Sequence, residues 1–190
     1  MTRRVAIPLF AVLMAAVAAA RAEEVVIDFE RAQIGKPMPE WTEKGVVFKL
    51  AGPLAHSKAA GRIMFFPHLA TNHKGILNAM ATEQAIPVQA TFPESVASVT
   101  LVLWASTGCP ALLEALDDNG AVVDKASLAA APAHKAPGDP VPFFQLTVRA
   151  PAIAAIRFSG PREGEFLAAD ELRFTKGAER VSDARRAQRQ

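Results

Sequence analysis

From Glu23 to Thr175 apolar and polar residues alternate over short runs, with Pro, Gly, Asn and Asp between them. A period of two is the signature of a half-buried strand. It predicts strands over Val25–Glu30, Gly45–Leu50, Arg62–Phe66, Gln84–Phe92, Ala97–Trp104, Leu112–Asp117, Ala121–Ser127, Pro142–Arg149, Ile153–Ser159 and Glu165–Thr175. The same alternation assigns faces. Ile27 and Phe29 point inward against Asp28 and Glu30. Phe144, Leu146 and Val148 oppose Gln145, Thr147 and Arg149. Ile156 and Phe158 oppose Arg157 and Ser159, and Leu172 and Phe174 oppose Arg173 and Thr175. Val99, Leu101 and Leu103 form the inward set of their strand, which puts Val102 and Trp104 on the other face.

Asp118-Asn119-Gly120 is the strongest local turn signal. Asn-Gly suits a two-residue turn with positive φ, so Leu112–Asp117 and Ala121–Ser127 are expected to form a hairpin. Met64–Ala81, rich in Asn, His and Gly, reads as a long connection. Ala129–Pro142 reads as an exposed Pro/Ala loop. No run carries the period of a long amphipathic helix. Many short strands with frequent turns predict an all-β fold, an antiparallel β-sandwich or jelly roll.

The N-terminus follows different rules. Arg3 and Arg4 precede an apolar run from Val5 to Ala20, and Ala20-Arg21-Ala22 fits a small-x-small cleavage site. Residues 1–22 therefore read as a signal peptide, with Glu23 opening the mature chain. The apolar run is shorter than the ~20 residues of a membrane span. No stable span is expected in the mature chain, and the expected location is periplasmic or extracellular. Residues 23–175 form the sandwich domain, and residues 176–190 a polar, basic tail that is disordered or a short surface helix.

This division changes the meaning of the charge. The whole chain carries 21 basic and 19 acidic side chains, but Glu23–Thr175 carries 13 basic against 17 acidic, a net of −4. The folded part is acidic, and the basic surplus belongs to the leader and the tail. An acidic, exported body without a basic-aromatic stripe argues against nucleic acid as a partner. The single cysteine excludes an internal disulfide and a cysteine-cluster zinc site. Cys109, in Thr107-Gly108-Cys109-Pro110, reads as a turn residue.

The ends of the body carry a resemblance. The chain opens with Val26-Ile27-Asp28-Phe29-Glu30 and continues with Lys44-Gly45-Val46-Val47-Phe48. It closes with Ile156-Arg157-Phe158 and Asp170-Glu171-Leu172-Arg173-Phe174. A "DFE" first strand, a "GVxF" second strand and an acidic pair before "LxF" in the last strand resemble the galactose-binding-like jelly roll of secreted bacterial carbohydrate-binding modules. The resemblance spans Val25 to Thr175. It implies an exported, non-catalytic binding module for carbohydrate or another cell-surface polymer. It also implies a structural calcium where the first and last strands meet, held by Asp28 or Glu30 and by Asp170 or Glu171. Oxygen ligands of this kind suit Ca²⁺, and Asp170 shares the parity of inward-facing Leu172 and Phe174.

Candidate ligand contacts follow from sugar chemistry. Trp41 and Trp104 are candidate stacking platforms. Asn72, His73 and Asn78 are candidate hydrogen-bonding groups, with Gln145 a further one. The enzymatic alternative is a metal-dependent or hydrolytic site built on His68, His73 and nearby acids. His56 and His134 also lie in expected loops or near strand ends. No HExxH, GxSxG or Gly-rich phosphate loop is present. A third reading is a structural interaction domain without a small ligand.

Overall fold

A computed structural model describes residues 23–52, 62–68, 71–78, 86–105, 108–133, 139–159 and 167–176. The leader, His56, His134 and the tail beyond Lys176 lie outside the described residues, as do the side chains of Leu77 and Asn78. Ten strands follow in order, with no helix among the described residues. They are β1 (Glu24–Ile27), β2 (Glu40–Glu43), β3 (Val46–Leu50), β4 (Ile63–Pro67), β5 (Lys74–Asn78), β6 (Val88–Ala105), β7 (Ala111–Leu116), β8 (Val122–Leu128), β9 (Phe144–Ser159) and β10 (Leu167–Lys176). Every pairing between these strands is antiparallel.

Two pairs of predicted strands are continuous. Gln84–Phe92 and Ala97–Trp104 merge into β6, and the two predicted halves of β9 merge likewise. Register shifts between Thr91 and Ser98 of β6 mark where the long pair changes direction. Such irregularities bend a strand without ending it. On one side of the bend β6 pairs with β3, and β9 pairs with β7. On the other side β6 pairs with β10. The continuous sheet therefore folds over into a sandwich. One layer runs β2-β3-β6-β9-β7-β8 and the other β4-β5-β10-β6-β9, with β1 also on β10.

Two short strands appear where the sequence suggested connections. Glu40–Glu43 joins β3 through Lys44-Gly45, both at positive φ (49° and 80°), the geometry of a two-residue type I′ hairpin. Lys74–Asn78 lies inside the segment read as a long connection, and pairs with β4 and β10. The expected β7–β8 hairpin is present with a different turn. Only Gly120 has positive φ (77°), Asp117 pairs with Ala121, and Asp117 Oδ1 accepts bonds from the amides of Asn119 and Ala121, both at 2.9 Å. This is a three-residue loop closed by a left-handed glycine.

The core lies between the layers, and the inward residues named from the alternation are buried in it, except Phe144, which is only partly buried. Ile27, Phe29, Phe48, Leu101, Leu103, Ile156, Phe158 and Leu172 are all buried. Burying one such side chain contributes about 1.5–3 kcal/mol. Phe29 adopts φ 56°, a strained conformation for a bulky residue. Its ring packs edge-on against Phe48 at 5.2 Å, which offsets that cost.

Candidate functional site

The edge of β10 carries two strands in succession. β5 pairs at Ala169, and β1 pairs from Leu172 to Thr175. Between them β10 bulges, because Ala169 faces Leu103 while Glu171 faces the adjacent Val102. Asp170 is the inserted residue, so simple parity with Leu172 does not set its direction. It is nonetheless buried. The left-handed Phe29 turns the chain out of β1, and Glu30 reaches the start of β5. Glu30 Oε1 accepts the Lys74 amide at 3.1 Å, and Lys74 Nζ donates to the Glu30 carbonyl. His73 Nδ1 lies 3.5 Å from Asp170 Oδ2. Asn72, exposed and left-handed at φ 59°, shapes the turn that delivers His73.

Glu30 and Asp170 of the expected metal set thus meet His73 of the expected ligand set, with Asn72 adjoining. Burial holds the Asp170 carboxyl above its ordinary range. His73 pulls it down, and Glu171 and Glu30 push it up again. Asp170 Oδ1 is buried and has no hydrogen-bond partner among the described residues.

The other two expected metal ligands turn away. Asp28 Oδ1 accepts the Glu30 amide at 3.2 Å, and Glu171 pairs with Arg173. The Glu30 carbonyl, the kind of oxygen that completes a calcium sphere, already receives the Lys74 ammonium. Calcium takes six to eight oxygens. Among the described residues no group of three or more His, Cys, Asp or Glu is placed to hold a metal. The Lys74 ammonium on the Glu30 carbonyl and the His73 ring beside Asp170 occupy the positions that further oxygen ligands of a calcium ion would need.

The tryptophans also lie elsewhere than a platform would. Trp104 occupies the expected outer face of β6 but is only 2% exposed. Its ring covers Gly75 of β5, where a Cβ would stand 2.1 Å from the indole. His68 meets it edge-on at 5.3 Å, and Phe143 lies at 5.9 Å. His68 is itself buried. Its Nε2 donates to the Val141 carbonyl at 2.8 Å, and its Nδ1 accepts the Thr71 amide at 3.3 Å. Both ring nitrogens are engaged, and His73 faces Asp170, so the two imidazoles do not converge on one metal. Trp41 is half-buried, packed edge-on against Phe65 at 5.2 Å. Asn78 lies opposite Ile63 at the end of β5.

A third region escaped the reading of single residues. On the outer face of the six-stranded layer, direct register aligns Glu40, Lys49, Gln89, Arg157, Glu114 and Lys125 in one row across β2, β3, β6, β9, β7 and β8. Residues directly opposite in a ladder share a face. Their neighbours Trp41, Phe48, Leu50, Val88, Phe158 and Leu113 pack toward the core. Arg157 Nε bonds Glu114 Oε2 at 2.5 Å. A parallel row holds Thr42, Val47, Thr91, Ala155 and Leu116, and Gln89 Nε2 donates to Thr91 Oγ1 at 3.2 Å. On the other side, Ser127, Leu112 and Ser159 line an open depression of about 310 Å³. The outward parity of Arg157 was legible in the sequence. The register that assembles the row was not.

No family model matches the chain, and no curated protein matches it significantly. Solved structures with a similar fold include the K2 cleaved adhesin domain of Lys-gingipain (11% identity, TM-score 0.49, covering 81% of this chain and 98% of that one). The K3 domain from Porphyromonas gingivalis is similar at 14% identity and TM-score 0.49, covering 80% and 98%. The carbohydrate-binding module TmCBM61, solved with β-1,4-galactotriose, is similar at 12% identity and TM-score 0.40, covering 78% and 94%. At these values the likeness carries no argument about function.

Proposed function

We propose that this protein is an exported, non-catalytic binding module that takes carbohydrate or a related cell-surface polymer across its six-stranded face. The transverse row from Glu40 to Lys125 carries this reading. Strands lie about 4.8 Å apart, so the row offers a hydrogen-bonding side chain at each strand. That periodicity suits an extended polymer lying across the strands. Arg157 and Glu114 hold each other in place and present charged groups, whose hydrogen bonds are the strong ones. The leader supplies the argument for export.

A glycan array probed with the purified protein tests the proposal. Binding to one glycan class is expected, weakened about tenfold by Arg157→Ala, roughly the loss of one well-formed charged hydrogen bond. Failure to bind any glycan, or binding that Arg157→Ala leaves unchanged while melting shows an intact fold, would sink it.

A further inference from the structure

The row holds its positive charges on alternate strands. Lys49 lies on β3, Arg157 on β9 and Lys125 on β8, with Gln89 of β6 and Glu114 of β7 between them. Adjacent cations are thus two strands apart, or about 9.5 Å at ordinary strand spacing. Lys49 and Lys125 are exposed, and neither ammonium makes an ion pair among the described residues. Arg157 keeps 35% of its side chain exposed while its Nε binds Glu114. Glu40, on β2, ends the run with the opposite sign. This alignment stands out on a body whose net charge is −4.

Resting on the reading of this face as the ligand surface, we propose that its ligand is an acidic polysaccharide whose carboxylate recurs on every second sugar. Two sugars of an extended β-linked chain span nearly the distance between successive cations. Each carboxylate then meets Lys49, Arg157 or Lys125, and the neutral sugars between them lie over Gln89 and over Glu114, whose carboxylate is held by Arg157 and accepts their hydroxyls. Lysine serves as a point charge and arginine as a fork matched to a carboxylate. The face has a reason to rely on charge. Its rows carry no aromatic side chain, and Trp41 and Trp104 are occupied elsewhere. A neutral glycan would find no stacking surface there.

The test is calorimetric titration of the purified protein with three hexasaccharides. One comes from hyaluronan, charged on alternate sugars, one from polygalacturonate, charged on every sugar, and one from cellulose, uncharged. The hyaluronan fragment is expected to bind at least about tenfold tighter than the cellulose fragment, and to weaken with added salt. The double variant K49Q/K125Q should lose about tenfold and much of the salt dependence, while K49R/K125R retains binding. Both lysines are exposed, and a melting curve confirms that each variant is folded. Equal binding of the cellulose fragment, unaffected by K49Q/K125Q, overturns the acidic-ligand inference but leaves the binding module standing. Tighter binding of the polygalacturonate fragment overturns the alternate-charge match. Absence of binding to all three fragments overturns the acidic-ligand inference, and the glycan array then decides whether the binding module stands.

Discussion

Asp170 is the residue whose surroundings conflict most. Its carboxyl is buried, one oxygen has no hydrogen-bond partner among the described residues, and Glu171 and Glu30 add negative charge nearby. Burial, the largest influence, raises its pKa above 3.8 in the folded state. The folded protein therefore holds this proton more tightly than the unfolded chain does. The contribution of Asp170 is most favourable below the unfolded value, and stability is lost as pH rises through the folded value. Asp170→Asn removes the charge and nearly keeps the shape. The variant is expected to be more stable near neutral pH by about 1 kcal/mol, or ~3 °C in Tm. Relative to it, the unmodified protein should lose stability on going from about pH 4 toward neutrality. Melting curves across that range check the sign. A variant less stable at neutral pH would show that Asp170 has a partner worth more than its desolvation cost.

At the scale of elements, the contact between β5 and β6 explains a strand that the alternation did not reveal. Lys74-Gly75-Ile76 offers only one clear inward apolar residue, and glycine in a strand ordinarily weakens it. Here glycine is required because the Trp104 indole lies directly on its backbone. Gly75→Ala would force the indole aside, and is expected to destabilise the protein by about 1–3 kcal/mol. Adding Trp104→Leu should recover part of that loss, measured by denaturant unfolding of the single and double variants. β2 was hidden for a related reason, since Trp41 is its one apolar residue and packs toward the core. The joining of four predicted strands into β6 and β9 has another cause. Proline and small residues near Pro93 and Pro151 resemble strand ends in sequence, yet both strands continue past them.

For the whole molecule, the question is what fastens the first strand to the rest. β1 is short and among the described strands pairs with β10 alone, with Lys176 Nζ reaching Glu23 at 3.2 Å beyond its start. After its end, the Glu30–Lys74 contacts tie it to β5. Calcium would serve the same purpose by neutralising Glu30 and Asp170, but the Lys74 ammonium already sits on the Glu30 carbonyl there. Melting in EDTA and then in excess Ca²⁺ is expected to show a Tm difference of no more than about 1 °C. An ion bound only by the folded state at a hundred times its Kd would add ~2.7 kcal/mol, or several degrees. A shift of that size would show that the cluster rearranges around calcium.

The period of two by itself determined the all-β class, the inward residues and the outward parity of Arg157, because burial on one sheet face acts on every second residue locally. It also marked the β7–β8 hairpin, because turn chemistry is local. Tertiary structure alone decided the rest. The bulge moved Asp170 off its parity, and the packing of His68 and Phe143 buried Trp104 on an otherwise outer face. Strand register, which depends on contacts distant in sequence, brought Lys49, Arg157 and Lys125 into one line.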